Sequence, residues 1–237
     1  MVRINNRPIP IAFIQKAIKS ICRLEANYRD NNKVYGTGFF LRILSQKFLI
    51  TCCHNIENSI KEKSEIQVEL YNKELIKIRL NERYIKYLER PLNIVAIEMK
   101  DSDFIYKDIE FLDYDKNFKN DYSIYKDLDV FTMHYEFNQL VCSSGRVVNI
   151  NDYEFGHSIS TEKGASGCPI ILFSESVYVI GIHSTGDTQK NLNYATFIGE
   201  IIKEIEKEKN SNIQGLNKNK LFEYNNTNNI KKLDIII

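Results

Sequence analysis

From residue 27 onwards the chain is a succession of short runs with strand-like patterning, and this succession limits the fold more than any other feature. A first group comprises residues 35–44, 47–51, 66–70, 75–80 and 94–99. A second group comprises residues 129–132, 139–150, 153–158, 169–173, 177–183 and 194–197. Short alternating or apolar runs separated by turn residues predict an all-β fold of two packed antiparallel barrels, with roughly six strands in each.

Helical periodicity appears at both ends of this region. Apolar residues recur at helical spacing over residues 8–24 and 197–207, which predicts an N-terminal helix and a C-terminal helix. The predicted order is an N-terminal helix within 1–26, a first barrel over 27–115, a connector over 116–128, a second barrel over 129–197, a C-terminal helix over 198–209 and an Asn-rich tail over 210–237. Residues 233–237 of the tail are a candidate docking strand.

Charge and cysteine content limit the partners and the compartment. The formal net charge is +1, and without a basic block there is no electrostatic reason to expect nucleic acid. The five cysteines are an odd number and match no zinc spacing. No signal-peptide core and no run of membrane-span length is present. We therefore expect a reduced cytoplasmic protein with no cofactor, metal or membrane partner, and these properties do not set its oligomeric state.

Residues 164–169, Gly-Ala-Ser-Gly-Cys-Pro, have the composition of a turn that presents a nucleophile. Gly164 removes a side chain two residues before Ser166, so that backbone N–H groups can face a developing oxyanion, and Gly167 lets the chain turn away. A serine hydroxyl needs a base, and the apolar run over residues 48–53 ends in His54. The structural alternatives are a plain turn at Ser166 and a strand-end histidine at His54.

Four motifs in series resemble those of the chymotrypsin-like (trypsin-like) serine proteases. They are Gly36-Thr37-Gly38-Phe39, Thr51-Cys52-Cys53-His54, Gly164-Ala165-Ser166-Gly167 and Gly181-Ile182-His183-Ser184-Thr185-Gly186. The resemblance covers residues 28–205 and implies two six-stranded barrels with an active site between them. A helix, with no activation sequence, precedes the first barrel, and this resembles the intracellular members that are made without zymogen cleavage.

The resemblance implies a serine endopeptidase that acts on protein or peptide substrates. Ser166 would be the nucleophile, His54 the general base, and the N–H groups of Gly164 and Ser166 the oxyanion hole. The residues that the resemblance places at the substrate are Thr161, His183, Ser184, Thr185 and Gly186.

The third catalytic position departs from the family. Residues 91–98 align with the strand that carries the family's aspartate, and the residue in its place is Asn93. An aspartate orients the imidazole and stabilises the imidazolium, whereas an asparagine lacks the charge and can present its NH₂ group. If the amide oxygen faces the ring instead, Ser184 is the residue that can accept from the NH₂ group. Asp101 and Asp103 lie beyond the strand and look too distant to substitute.

Three hypotheses therefore remain open for the chain. It is a slow or conditionally active protease, an active protease with a repositioned acid, or a catalytically inactive homologue that acts as a peptide-binding module. Survival of the nucleophile, the base and the oxyanion loop favours protease activity.

His183 stands where the trypsin-type pattern has a small apolar residue. This is similar to glutamyl endopeptidases and picornaviral main proteases, in which a histidine here binds a Glu or Gln side chain; they also share a threonine at the position of Thr161. Ser160 replaces the aspartate of trypsin and disfavours a basic residue. The prediction is cleavage after Glu or Gln, and the alternative is that His183 only packs in the second barrel. His157 is predicted to be structural or to lie at the pocket rim.

Overall fold

The computed structural model describes residues 10–27, 33–103, 109–119, 121–136, 138–172, 176–187, 189–190 and 192–211. The predicted tail beyond residue 211, including the candidate strand 233–237, lies outside the described residues. The chain divides into two compact units, Met1–Ile201 and Ile202–Ile237. Both sheets belong to the first unit, and the described part of the second unit, residues 202–211, is helical. In the described ranges no helix is long and apolar enough to cross a membrane.

The first sheet is a curled, antiparallel half-barrel. Its strands are β1 (Ile21–Asn27), β2 (Lys33–Ile43), β3 (Gln46–Cys52), β4 (Glu65–Leu70), β5 (Leu75–Arg79), β6 (Ile85–Leu88) and β7 (Ile94–Glu98). They are ordered β5-β4-β1-β2-β3-β7-β6. No strand pairing among the described residues joins β5 to β6, so this sheet stays open where the sequence predicted a closed barrel.

The second sheet closes into a six-stranded antiparallel barrel. Its strands are β8 (Asp113–Tyr114), β9 (Asp129–Glu136), β10 (Gln139–Ile150), β11 (Glu154–His157), β12 (Pro169–Leu172), β13 (Tyr178–Asp187) and β14 (Leu192–Phe197). The order β12-β9-β10-β11-β14-β13 is closed by pairing of β12 with β13, and β8 adds a short parallel pairing to β13. The predicted all-β fold of two packed barrels is confirmed, with the first barrel incomplete.

Burial follows the position of each strand in its sheet. Near one edge of the first sheet, β4 and β5 alternate, and Ile66, Val68, Ile76 and Ile78 face the core while the residues between them face outward. Strands β3 and β7 carry continuous buried runs instead, because both of their faces are covered. Strand β3, which leads to His54, and strand β7, which follows Asn93, are thus packed on both faces.

The helices are α1 (Ile11–Ser20), α2 (Cys53–Lys61) and α3 (residues 199–211). Helical spacing predicted α1 to continue to Leu24, which is wrong: β1 begins at Ile21. The buried side chains of Cys22, Leu24 and Ala26 alternate with less buried ones, and this period of two outweighs the helical pattern. The sequence did not predict α2, which begins directly before His54.

A segment between the two sheets bonds to both of them. The N–H of Leu112 donates to Phe40 of β2, and the carbonyl of Leu112 accepts from Arg42, each over 2.9 Å. The next residues form β8, which runs beside β13. Main-chain hydrogen bonds through this segment therefore connect the two sheets.

Candidate active site

A cleft in the first unit, lined by loops of both sheets, collects every residue that the sequence predicted for a site. The members are His54, Asn93, Thr161, Gly164, Ser166, His183, Ser184, Thr185 and Gly186. The cleft has a volume of about 1390 Å³. This exceeds the roughly 300–1,000 Å³ of common small-molecule pockets and accommodates an extended peptide.

Strand register brings these residues together. Cys52 of β3 lies opposite Ile94 of β7, so His54, two residues after Cys52, and Asn93, one before Ile94, emerge at the same end of the first sheet. In the second sheet Pro169 lies opposite Ile182. The nucleophile loop that precedes Pro169 therefore runs beside the residues that follow Ile182.

The nucleophile loop is fastened to the first sheet by side chains. The Thr37 hydroxyl donates to the carbonyl of Gly164 over 2.7 Å, and the Thr37 N–H donates to the carbonyl of Ser166 over 3.0 Å. The same Ser166 carbonyl accepts from Nδ2 of Asn55 over 2.8 Å. Sequence analysis missed Asn55, although its place one residue after the base was a usable signal.

The glycines around this loop are required by close approach and by positive φ. Gly164 and Gly167 have φ values of +100° and +92°, and a Cβ at Gly167 would lie 2.2 Å from the carbonyl oxygen of Thr37. A Cβ at Gly36 would lie 2.3 Å from Nδ2 of Asn55. The first glycine motif thus leaves room for the contacts that hold Ser166.

Two backbone amides of the loop are available to a ligand. The N–H of Ala165 donates to Glu162 over 3.0 Å, and the N–H of Gly167 donates to His183 over 2.8 Å. Within the described parts of the chain, the N–H groups of Gly164 and Ser166 meet no protein acceptor. These are the amides that the sequence predicted for an oxyanion hole.

Asn93 holds His54 through both ends of its amide. Its Oδ1 accepts from the backbone N–H of His54 over 3.2 Å. Its Nδ2 lies 2.8 Å from Nδ1 of the His54 ring and 3.1 Å from Oγ of Ser184. The Asn93 side chain is buried, and its backbone has a φ of +57°, a conformation that asparagine tolerates better than most residues.

This arrangement fixes the tautomer of His54. An amide NH₂ group donates, so Nδ1 of the neutral ring accepts and its proton is on Nε2. The amide orientation is fixed in turn because the backbone N–H of His54 needs the oxygen. The Ser166 hydroxyl accordingly donates to the carbonyl of Ser184 over 3.2 Å and not to the ring.

The electrostatic surroundings favour the neutral form of His54. Burial is the largest effect and lowers the pKa of His54, a hydrogen bond with Asn93 raises it, and the positive charge of Arg90 lowers it further. Asp103 is engaged by Arg83 at 2.7 Å, and Asp101 lies 3.6 Å from Lys47. No carboxylate in the described ranges hydrogen-bonds the His54 ring, so the hypothesis of a repositioned acid has no candidate there.

A pocket beside the nucleophile is lined by Ser160, Thr161 and His183. His183 is buried, and its Nδ1 lies 3.3 Å from Nε2 of His157, which is buried at the end of β11. Burial, followed by the nearby His134 and His54, lowers the pKa of His183 to about 4. Burial also lowers the pKa of His157 far below its usual value. The neutral imidazole of His183 thus lines the pocket. His157 is buried behind His183 and does not lie at the pocket rim.

Solved structures with a similar fold include proteases. Tobacco etch virus protease, in a catalytically active form complexed with product, is 16% identical, covers 82% of this chain and 78% of its own, and has a TM-score of 0.59. A human pathogenic astrovirus serine protease is 19% identical and covers 76% and 90%, with a TM-score of 0.52. A serine endoprotease from Yersinia pestis is 12% identical and covers 84% and 67%, with a TM-score of 0.61.

The fold is that of the chymotrypsin-like proteases. No protein-family model matches the chain, and no curated protein matches its sequence. The chymotrypsin-like fold is thus evident from the sheet architecture and from these structural similarities.

The cysteines near the chymotrypsin-like cleft are not poised as nucleophiles. Burial raises the pKa of Cys168 and of Cys53 to about 12 and raises the pKa of Cys52 well above its usual value. The Cys52 thiol donates to the carbonyl of His183 over 3.2 Å. Among the described residues no cluster of His, Cys, Asp and Glu is placed to hold a metal ion. The nucleophile candidate in the cleft is therefore Ser166.

Proposed function

We propose that the chain is a serine endopeptidase in which Ser166 attacks the scissile carbonyl and His54 carries the proton. The observation that carries the proposal is that Ser166, His54 and the Gly164 amide line one cleft, with the loop amides unpaired. The structural neighbours support protease activity in general. The role of each residue rests on the geometry of this chain.

We assign each chemical step to a residue of the cleft. The bond from Ser166 Oγ to the carbonyl carbon forms as the hydroxyl proton passes to Nε2 of His54, and the N–H groups of Gly164 and Ser166 stabilise the oxyanion. The C–N bond then breaks as His54 returns the proton to the leaving amine. Water attacks the acyl-enzyme in the same way, which releases the acid and regenerates Ser166.

Catalysis requires the side-chain amide of Asn93 to flip, so that Oδ1 and Nδ2 exchange places. With Oδ1 towards the ring, Nδ1 carries the proton and Nε2 can accept from Ser166. The cost is that the backbone N–H of His54, now bonded over 3.2 Å, loses its acceptor, while the hydroxyl of Ser184 turns to donate. A buried N–H without an acceptor costs about 1–3 kcal/mol. The competent form is then about 5- to 150-fold less populated, which describes a slow enzyme and not a dead one.

The pocket chemistry supports cleavage after Gln or Glu. His183 and Thr161 offer an imidazole and a hydroxyl that can hydrogen-bond a side-chain oxygen, and both would stay unpaired with an apolar residue. Because His183 is neutral, an amide oxygen fits without any change of charge. A Glu carboxylate is best accepted if His183 takes up a proton.

Strand β13 offers an edge for an extended substrate. Strand β12 pairs with β13 from Val179 to Ile182 only, and β14 covers the opposite edge as far as Asp187. The segment from Ser184 to Gly186 faces the cleft. A peptide placed there would add main-chain hydrogen bonds and hold its cleaved bond at Ser166.

A fluorophosphonate probe tests the nucleophile directly, because it forms a covalent adduct only with an activated serine. We expect labelling of the full chain that disappears in Ser166→Ala and in His54→Ala. A library of peptides should then show cleavage after Gln and Glu. Dominant cleavage after Arg, Lys or large aromatic residues would overturn the pocket assignment.

The second candidate function is a peptide-binding module without turnover. The orientation of the Asn93 NH₂ group towards Nδ1 of His54 favours it, because the resting ring cannot accept the Ser166 proton. Labelling of Asn93→Asp but not of the natural chain, together with binding of uncleaved peptides, would establish this function and exclude the enzyme.

A further inference from the structure

A second cavity, here called the basic pocket, lies on the other side of the nucleophile loop. Its volume is about 540 Å³, and its lining includes Arg23, Tyr35, Tyr135, Lys163 and Gly164. Gly164 and Lys163 also line the catalytic cleft. The basic pocket is therefore adjacent to the catalytic cleft, yet no step of the proposed chemistry uses it.

The basic pocket is lined by positively charged side chains, and contacts with neighbouring residues hold one of them, Arg23, in place. The guanidinium of Arg23 lies 4.3 Å from the centre of the Tyr35 ring and pairs with Glu69 at 3.3 Å. Glu69 is shared with Lys73, whose Nζ is 2.7 Å away, so one carboxylate serves two cations. Lys163 forms no ion pair with any described residue. No carboxylate lines the basic pocket in the described ranges.

The position of the basic pocket assigns it to the leaving group. The pocket for the residue before the cleaved bond is built from the second sheet, by Thr161 and His183. The basic pocket instead includes Tyr35 and Gly36 of β2, directly before Thr37, whose hydroxyl bonds Gly164 over 2.7 Å. If the residues before the cleaved bond lie on the second sheet, the residues after this bond continue past Ser166 towards β2 of the first sheet.

We propose that the basic pocket binds an acidic side chain within the first three residues after the cleaved bond. Arg23 supplies a guanidinium held in place by Tyr35 and Glu69, and Lys163 supplies an exposed ammonium next to Gly164. A planar guanidinium and a nearby ammonium suit a carboxylate. The proposal rests on the proposed function only for the direction of the peptide.

The test uses fluorogenic peptides with Gln before the cleaved bond and Glu, Gln or Lys at the first, second or third position after it. At one of these positions we expect kcat/KM for the Glu peptide to exceed that for the Gln peptide by about 5- to 20-fold at low salt. The excess should shrink as ionic strength rises. Lys163→Glu should invert the order of the Glu and Lys peptides, and this ratio within one protein is independent of how much of the variant is active.

The matched control is Lys77→Glu, because Lys77 lies on β5 beside Glu65 at 3.0 Å and outside the basic pocket. Its Glu-to-Lys ratio should equal that of the natural chain. Equal rates for all three peptides at every position would overturn the proposal, and so would the absence of an inversion in Lys163→Glu. Cleavage of the peptides would still support the proposed protease function in either case.

Peptide affinity, measured without cleavage, tests the basic pocket separately from the proposed protease activity. Fluorescence anisotropy of the same peptides with the full-length Ser166→Ala chain measures the basic pocket without turnover. Preference for Glu that Arg23→Gln and Lys163→Gln each weaken supports the pocket even if the natural chain is never labelled. Affinity that does not depend on the peptide's charge would overturn the pocket whatever the outcome of labelling.

Discussion

At the scale of single residues, Asn93 has the greatest influence on the site. Its side chain occupies the position from which a carboxylate would accept from both His54 N–H groups and from Ser184. As an amide it satisfies the backbone N–H but donates to the ring at 2.8 Å. A change of one functional group, from oxygen to NH₂, therefore sets the position of the proton on the catalytic imidazole.

Asn93→Asp should raise kcat by about 10²- to 10⁴-fold, the reverse of the loss known for the opposite change in this triad. The carboxylate also raises the pKa of His54, which burial now lowers. Because the base must be neutral, the acid limb of the pH–rate profile should move to higher pH. Rates measured from pH 4 to pH 9 on one peptide check both effects, and an unchanged kcat would contradict the tautomer argument.

His183 should make the choice between Gln and Glu depend on pH. Its pKa of about 4 means that a buried Glu carboxylate must bring a proton with it, whereas Gln needs none. The ratio of kcat/KM for Gln to that for Glu should therefore rise with pH between 5 and 8, by up to about tenfold per unit.

His54 titrates identically for both substrates and cancels in this ratio. His183→Gln removes the titrating group, so its ratio should be flat across the same range. A pH-independent ratio in the natural chain would show that the carboxylate is held without proton uptake.

At the scale of elements, the nucleophile loop depends on a strand of the other sheet. Thr37 of β2 donates to Gly164 through its hydroxyl and receives the N–H of Tyr135 at 3.1 Å. Asn55 on α2 reaches the Ser166 carbonyl from the same side. The geometry of the nucleophile loop therefore depends on β2, β9 and α2, and not on the loop sequence alone.

Thr37→Val keeps the shape of the side chain and removes the hydroxyl. It leaves the Tyr135 N–H and the Gly164 carbonyl unpaired, at a cost of about 1–3 kcal/mol. We expect fluorophosphonate labelling of Ser166 to slow about tenfold or more. Thr37→Ser retains the hydroxyl and is the matched control; equal slowing in both variants would assign the effect to packing and not to hydrogen bonds.

At the scale of the whole molecule, patterns in the sequence predicted the all-β architecture and the residues that line the cleft, but not the open first sheet, α2 or Asn55. Short runs over residues 66–70 and 75–80, together with the ordered motifs, predicted two barrels with His54 and Ser166 between them. Other features depend on three-dimensional contacts that no local pattern encodes. The orientation of the Asn93 amide depends on the backbone N–H of His54. The contact between His157 and His183 depends on β11 and β13, which lie on either side of β14.

Three buried histidines should make folding stability fall in mild acid. The pKa values of His134, His157 and His183 are all lowered, in each case chiefly by burial. Above about pH 6.5 these imidazoles are mainly neutral in the native and the unfolded states, so they do not lower the free energy of unfolding. As the pH falls below that value the unfolded chain takes up protons that the native chain does not, so the free energy of unfolding decreases by up to about 1.4 kcal/mol per pH unit for each histidine.

Urea unfolding of the full chain at pH values between 5 and 7.5 measures this slope. His157→Gln should reduce it by the contribution of one proton, whatever its effect on stability at neutral pH. An identical slope in the variant would show that His157 is protonated in the native protein.

The segment around Leu112 bears on how this molecule tolerates change. It is joined to β2 and β13 by main-chain bonds, which any side chain except proline leaves intact. Phe111, Leu112 and Tyr114 are buried, so substitutions at these positions disturb packing even where the main-chain bonds survive. At the exposed Glu110 the side chain is free to change without loosening the junction between the two sheets.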